Sequence, residues 1–140
     1  MASTLEEKEA IRDLLATYCF LLDSGELDKW AELFTEDGTF DVGALGKAQS
    51  REGIKEFISR VRLTTGRVHG IKHCTLNSII SVSGTEARAD SYVLVVRDYD
   101  RKVDTAMAGR YEDLLVKQAD NWRFKLRKVH LDIAGRVRPG

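Results

Sequence analysis

Two residues combine acid–base chemistry with an unexpected position in the chain, Asp23 and His73. Asp23 follows an apolar run at the predicted end of a helix, just before Ser24-Gly25, where the negative end of the helix dipole disfavours a carboxylate. His73 lies in a segment with the alternation of a strand. A carboxylate that binds one imidazole nitrogen fixes the tautomer and leaves the other nitrogen able to take a proton near neutral pH. The pair therefore indicates general-base chemistry, if the fold brings the two residues together.

Tyr18 has two interpretations. It lies on the apolar stripe of the predicted first helix, where a tyrosine most often packs in the core with its hydroxyl tethered to a neighbour. In a pocket, the same hydroxyl can donate a hydrogen bond to an oxygen that gains charge. Trp30 and Phe34 are most simply core contacts between a second helix and a sheet, and they would also wall a cavity enclosed by that sheet.

Two polar residues of the predicted strands are further candidates for substrate binding, His130 and Arg110. His130 shares its parity with three apolar residues of the last strand, Trp122, Phe124 and Leu126. This parity predicts either a place on the concave face of the sheet or the exit of the strand. The simplest role of Arg110 is an ion pair on a sheet face, with Asp113 or Asp41 as its partner.

Metal and thiol chemistry receive little support. On one strand, His69 and His73 would lie roughly 13 Å apart, too far to bind a single ion unless Gly70 breaks the strand. Cys19 and Cys74 lie in apolar-patterned segments without CxxC spacing, which predicts buried reduced thiols, with a disulfide or a nucleophile as the alternative. We expect no metal and no other cofactor.

Length and charge limit the class of protein. The 140 residues suit a single domain spanning residues 1–140, with a loose tail at 136–140. The 22 basic and 22 acidic residues cancel and form no block of like charge, so we expect neither nucleic acid nor a membrane as partner. No signal segment or membrane span is visible, which predicts a cytoplasmic protein.

The hydrophobic pattern changes from helical to strand-like along the chain. A helix is predicted over residues 5–23, begun by a capping box of Thr4 and Glu7, and a short helix around Trp30 ends near residues 35–38. A strand at 39–42, a loop at 43–49 and a helix after Ser50 follow. Four strands at 68–82, 87–98, 103–117 and 122–133 then predict an antiparallel meander. This order indicates an α+β domain with helices on one face of a curved sheet.

The chain resembles the SnoaL-like branch of the superfamily named after nuclear transport factor two. The resemblance covers about residues 5–133 and rests on five features in order: Tyr18-x4-Asp23, Trp30 to Phe34 before Asp37-Gly38, His73 with Asn77, Gly109-Arg110-Tyr111-x-Asp113, and Trp122-x-Phe124. It implies a cone-shaped fold in which a curved mixed or antiparallel sheet wraps around three N-terminal helices and encloses a pocket. Relatives include scytalone dehydratase, a bile-acid dehydratase, a dehydrochlorinase and ketosteroid isomerase.

The resemblance also implies a function. In the dehydratase-like members, an aspartate at the end of the first helix pairs with a strand histidine that acts as general base. Asp23 and His73 match those positions, and Tyr18 matches a tyrosine that polarises or orients the substrate. We therefore expect a cofactor-independent lyase of the dehydratase type, or an isomerase, that acts on a small hydrophobic molecule contacted by His130, Trp30, Phe34 and Arg110. The alternative is a non-catalytic ligand-binding or dimerisation module.

The outer face of the predicted sheet is the expected surface of self-association. Apolar residues alternate along the last three strands, among them Val93, Val95, Leu114, Val116, Val129 and Leu131. They suffice for both a pocket and an interface, so a homodimer or homotrimer is predicted.

Overall fold

Helices dominate the first half of the chain, and four long strands form the second half. The computed structural model describes residues 2–65 and 70–134, except for the side chains of residues 63–65. The elements in chain order are α1 (Thr4–Ser24), α2 (Leu27–Ala31), β1 (Phe34–Asp41), a 3₁₀ turn (Gly43–Leu45), β2 (Lys47–Gln49), α3 (Arg51–Thr65), β3 (Ile71–Ser83), β4 (Glu86–Tyr99), β5 (Lys102–Gln118) and β6 (Asn121–Ala134). None of the described helices is both long and apolar enough to cross a membrane.

The strands form one mixed sheet. Its order is β2-β1-β6-β5-β4-β3, and every neighbouring pair is antiparallel except β1 and β6, which run parallel. The predicted meander of β3 to β6 is therefore confirmed. Three helices pack against this curved, unclosed sheet, which confirms the predicted α+β cone. The tail at residues 136–140, predicted to be loose, lies outside the described residues.

The first helix begins one residue earlier than its predicted capping box requires. Ser3 is the N-cap and accepts from the backbone of Glu6, whose carboxylate accepts from Ser3 in return. The predicted box of Thr4 and Glu7 is therefore wrong. Glu7 instead accepts from Lys117 Nζ at 2.5 Å and from Trp122 Nε1 at 2.6 Å, which ties α1 to β5 and β6. Ser3 with Glu6 and Thr4 with Glu7 both have the spacing of a capping box. Because Glu7 binds the sheet, the box forms from Ser3 and Glu6.

The segment after α2 contains more β-strand than its local pattern predicts. β1 begins at Phe34, five residues before the predicted strand, because Phe34 pairs with Phe124 of β6. The predicted loop at 43–49 contains β2, which pairs with β1. The early start of β1 depends on β6, which is distant in sequence, and β2 is only three residues long. The hydrophobic periodicity of the sequence reveals neither feature.

Aromatic side chains fill the space between the helices and the sheet. Tyr18, Trp30, Phe34, Phe40 and Phe124 are all at most 4% exposed. Their ring centroids lie 5.3 to 6.5 Å apart, mostly in tilted or edge-to-face arrangements, which suit the aromatic quadrupole. Trp30 and Phe34 therefore have the core role that was their simplest interpretation.

A β-bulge in β3 changes which residues face the helices. Leu76 pairs with Tyr92 but Ile79 pairs with Asp90, so β3 has one residue more than β4 at this point. Asn77 accommodates the extra residue with φ 57°. The alternation therefore shifts, and Asn77 does not share the face of His73 as strict alternation predicts.

A second bulge lies in β6 at Lys125. Leu115 pairs with Phe124, whereas the neighbouring Leu114 pairs with Leu126. After this point Arg127 is buried and Leu126 is only half-buried. His130 therefore does not share a face with Trp122 and Phe124, contrary to the parity in the sequence.

Candidate active site

Asp23 and His73 are in direct contact. His73 Nδ1 lies 2.6 Å from Asp23 Oδ1, and the backbone N–H of His73 donates to both carboxylate oxygens, at 3.2 Å and 3.0 Å. These contacts join the last turn of α1 to the start of β3. The ring and backbone nitrogens of His73 both contact the carboxylate, and these contacts offset its unfavourable place at the helix C-terminus.

The end of α1 is fixed from two sides. Gly25 adopts the left-handed conformation with φ 79°, and its N–H donates to the carbonyls of Leu21 and Leu22. Arg62 of α3 donates to the same Leu22 carbonyl at 2.6 Å, so a cation also faces the negative end of the helix. The backbone that carries Asp23 is therefore fixed by contacts within the fold.

The contact with Asp23 selects the imidazole tautomer. A carboxylate only accepts hydrogen bonds, so Nδ1 of neutral His73 carries the proton and Nε2 carries a lone pair. None of the described residues forms a hydrogen bond with Nε2. The side chains of His73 and Asp23 are 20% and 12% exposed, respectively. The imidazole is thus oriented but still accessible, as a general base must be.

A cleft lies beside this pair, between α1 and β3. Its volume is about 370 Å³, in the lower part of the range of small-molecule sites. The residues that line it are Arg12, Leu15, Ala16, Cys19 and Phe20 from α1, and His73, Thr75 and Ser78 from β3. The bulge after Leu76 reverses the alternation of β3, so Ser78 rather than Asn77 faces the cleft.

The cysteine at the base of the cleft is a thiol. Cys19 Sγ contacts Thr75 Oγ1 at 3.3 Å and the Leu15 carbonyl at 3.5 Å. Burial raises the pKa of Cys19, which keeps the sulfur protonated and weakly nucleophilic. Cys19 and Cys74 are both free, as the sequence predicts, but Cys74 is half-buried rather than buried.

Tyr18 belongs to the core, which was the first of its two interpretations. It is 1% exposed and is not among the described residues that line the cleft. Burial raises its pKa to about 12, against the opposing effect of Arg127, whose guanidinium lies 4.2 Å from the ring centroid. The fold thus brings Asp23 and His73 together and encloses Tyr18 among other aromatic rings.

A second carboxylate pair, Asp113 with Arg127, lies inside the core. Arg127 Nε and Nη2 donate to the two carboxylate oxygens at 2.9 Å and 3.2 Å, and both side chains are 0% exposed. The guanidinium carbon lies 3.5 Å from the Tyr111 ring centroid and 4.5 Å from that of Phe124. Burial is the largest influence on Arg127 and acts to lower its pKa, but Asp113, Tyr111 and Tyr18 together raise the pKa of the guanidinium. Burial also raises the pKa of Asp113, against the opposing effect of Arg127.

Sequence reasoning missed this pair. Asp113 was expected only as a partner of Arg110, and Arg127 lies among basic residues that look like an exposed strand face. The bulge at Lys125 turns Arg127 inward, and nothing in the local pattern announces that bulge. Two buried donors, Arg127 Nη1 and Trp30 Nε1, have no hydrogen-bond partner among the described residues.

Arg110 and His130 lie away from Asp23 and His73. They pair across β5 and β6, and alternation places them opposite to the buried Tyr111 and Val129. Arg110 binds Asp90 at 2.9 Å and Glu112 at 3.6 Å, while His130 Nε2 lies 3.2 Å from Glu112. The sheet-face ion pair that was one interpretation of Arg110 is present, with partners other than those expected.

The possible histidine metal pair cannot be placed, because His69 lies outside the described residues. Within residues 2–65 and 70–134, no group of three or more His, Cys, Asp or Glu side chains is arranged to hold a metal ion.

The chain is similar to several known proteins, which carry different functional names. Anthranilate 1,2-dioxygenase small subunit of Burkholderia cepacia is 25% identical, over 79% of this chain and 78% of that protein. A protein from Novosphingobium aromaticivorans assigned as a scytalone dehydratase is 26% identical, with a TM-score of 0.81 over 97% of this chain and 90% of that one. An NTF2-like protein with a cystatin-like fold from the same organism is also 26% identical, with a TM-score of 0.81 over 91% and 83% of the two chains.

The family itself is established by the match of its model to the sequence. The model of the SnoaL-like domain matches residues 3–128, which is most of the chain. The element order, the mixed sheet and the solved NTF2-like structures agree with that match. The chain belongs to the SnoaL-like family, within the NTF2-like fold.

Proposed function

We propose that the protein is a cofactor-independent lyase of the dehydratase type, or an isomerase that uses the same proton transfer, acting on a small hydrophobic molecule. One observation carries the proposal: the 2.6 Å contact between Asp23 Oδ1 and His73 Nδ1 at the wall of a cleft of about 370 Å³. The contact orients a base, and the cleft provides space for the molecule that it would deprotonate.

In this mechanism His73 Nε2 takes a proton from the carbon beside a carbonyl group. The C–H electron pair becomes the new C=C bond while the C–O bond to a β-hydroxyl group breaks. The imidazolium returns its proton to the departing oxygen, so water leaves and His73 is neutral again. Asp23 stabilises the transient positive charge on the ring. In an isomerase, the same proton would return to a different carbon.

A hydrogen-bond donor for the carbonyl oxygen completes the proposal. Tyr18 is the donor that the family resemblance predicts, and its role stays a prediction because the hydroxyl is enclosed in the core. Thr75 lies on the same strand as His73, two residues away, and lines the cleft, so its hydroxyl is a second candidate. Arg110 and His130 are not included, because they lie on the other face of the sheet.

The test compares two histidines. A panel of β-hydroxy and β-halo carbonyl compounds is followed by the ultraviolet absorbance of the conjugated product. His73→Ala is expected to lower turnover about 100- to 10,000-fold, the usual contribution of a general base. His130→Ala, a half-exposed histidine of the outer face, is the matched control and should leave turnover unchanged. Full activity of His73→Ala, or an equal loss in both variants, would contradict the proposal.

A non-catalytic subunit is the second candidate. It is favoured by the relative named as a dioxygenase small subunit and by apolar side chains on the exposed part of the sheet, where Leu76 is 42% and Tyr92 58% exposed. We expect self-association through this face, as a homodimer or homotrimer, measured by light scattering. If no compound of the panel turns over and the protein is a stable oligomer, this candidate replaces the lyase.

A further inference from the structure

The lining of the cleft beside His73 contains one charged side chain at the end opposite to His73. Arg12 is the one cation among the described residues that line it, and no carboxylate lines it. Glu9 accepts from Arg12 Nη1 at 2.9 Å, in an ion pair whose side chains are 44% and 63% exposed. A guanidinium has five N–H donors, so this single contact leaves most of them available to a ligand.

The wall between Arg12 and His73 is apolar and exposed. Arg12, Ala16 and Phe20 follow one another at four-residue intervals and so form a single stripe along α1. Phe20 lines the cleft and is 78% exposed. An apolar ligand that covered Phe20 would remove this surface from water.

The contacts between α1 and β3 fix the direction of the cleft. Asp23 contacts His73 and Cys19 contacts Thr75, so α1 and β3 run antiparallel along it. At 1.5 Å per helical residue, Arg12 lies roughly 16 Å along the axis from Asp23. The cation and the base therefore face opposite ends of an elongated space.

We propose that the substrate is an elongated, largely apolar carboxylate whose acid group binds Arg12 while its reacting carbon lies at His73. This inference rests on the proposed function for the reacting end, and the binding end can be tested without turnover. Arg12 is a specificity-determining residue in this arrangement, and Phe20 covers the apolar middle of the ligand.

The probe is phenylhexanoate, which joins a carboxylate to an aromatic ring through a flexible chain, with phenylhexanamide as its neutral analogue. Binding is followed by the NMR shifts of the backbone amides of Ala16, Phe20 and Thr75. The carboxylate is expected to shift these amides and to bind about five- to tenfold more tightly than the amide, as a charge-assisted hydrogen bond at a partly exposed site allows.

Two substitutions should change this affinity in opposite directions. Arg12→Gln is expected to weaken phenylhexanoate binding to the level of the amide, while Glu9→Gln frees the guanidinium and should tighten it about twofold. Arg88→Gln removes the same charge from the exposed part of β4 and is the control that should leave binding unchanged. Binding that is equal in wild type and Arg12→Gln, shifts outside the cleft, or no binding at all would overturn the inference.

The same titration in His73→Ala separates this inference from the proposed function. Unchanged, Arg12-dependent binding in that variant supports the carboxylate site whether or not turnover is found. A different outcome is turnover in which neutral and anionic compounds have equal KM, in both wild type and Arg12→Gln. That result would overturn the carboxylate site and leave the His73 mechanism in place.

Discussion

Asp23–His73 and Asp113–Arg127 are both pairs of a carboxylate and a nitrogen base, with shortest contacts of 2.6 Å and 2.9 Å. Their surroundings differ. Asp113 and Arg127 are 0% exposed among aromatic rings, whereas His73 is 20% exposed beside a cleft. A guanidinium holds its protons at every accessible pH, while an imidazole gains and loses one near neutrality. The two pairs are therefore not distinguished by contact distance. The core pair differs from the proposed catalytic pair in its solvent access and in the proton chemistry of the nitrogen group.

The largest effect is expected from breaking the core pair. Asp113→Asn leaves the charge of Arg127 buried without a counter-charge, so the free energy of unfolding should fall by about 3–5 kcal/mol. Chemical denaturation measures this loss. The double variant Asp113→Leu with Arg127→Met removes both charges and should recover much of the stability. A loss below about 1 kcal/mol for Asp113→Asn would show that the pair is not desolvated as described.

The same substitution at the other pair should cost less. Asp23→Asn removes a carboxylate that accepts three contacts but is 12% exposed, so we expect a loss of about 1–3 kcal/mol in unfolding free energy. Turnover should fall with it, because Nδ1–H loses its anionic acceptor. Imidazole ¹⁵N shifts should show less of the Nδ1–H tautomer in the variant. If Asp23→Asn were the more destabilising of the two, the distinction between the pairs would be wrong.

The third effect is expected at alkaline pH, where a tyrosine beside the core pair titrates. Tyr18, which contacts Arg127, has a pKa raised by burial to about 12, against about 10 in the unfolded chain. Below pH 10 both states keep this proton, so Tyr18 does not change the stability there. Between pH 10 and 12 only the unfolded state loses it, so the free energy of unfolding should fall by up to about 1.4 kcal/mol per pH unit.

The comparison for this pH dependence is Tyr18→Phe, which keeps the ring and removes the titrating hydroxyl. Its unfolding free energy should fall less steeply than that of wild type between pH 10 and 12. Parallel curves for the two proteins would assign the alkaline loss to other groups whose pKa is raised by burial, Tyr111 and Cys19 among them.

Much of the fold follows from local pattern. The 3.6-residue period of α1, the cap at Ser50 and the alternation of β3 to β6 predict elements that the structure contains. The exceptions have identifiable causes. The capping box lies one residue earlier than predicted because Glu7 binds the sheet. β2 was missed because a strand of three residues is too short to show a periodic pattern. Two bulges reversed the alternation of β3 and β6, and this reversal hid Ser78 and Arg127.

The candidate site was predicted less completely. The family resemblance suggested that Asp23 and His73 meet, and the structure supports that contact at 2.6 Å. The same reasoning expected Tyr18, Arg110 and His130 near the substrate, and none of them lines the cleft among the described residues. Arg12 and Phe20, which do, resemble ordinary solvent-facing helix residues when read in sequence.

The sequence by itself determined the elements, their order and the residues able to exchange protons, because periodicity and side-chain chemistry are local properties. The tertiary structure alone decided which charged residues are buried and which face the cleft. That choice depends on strand register, and one extra residue in a strand moves every later side chain to the opposite face. In this protein, single inserted residues in β3 and β6 place Ser78 at the cleft and Arg127 in the core.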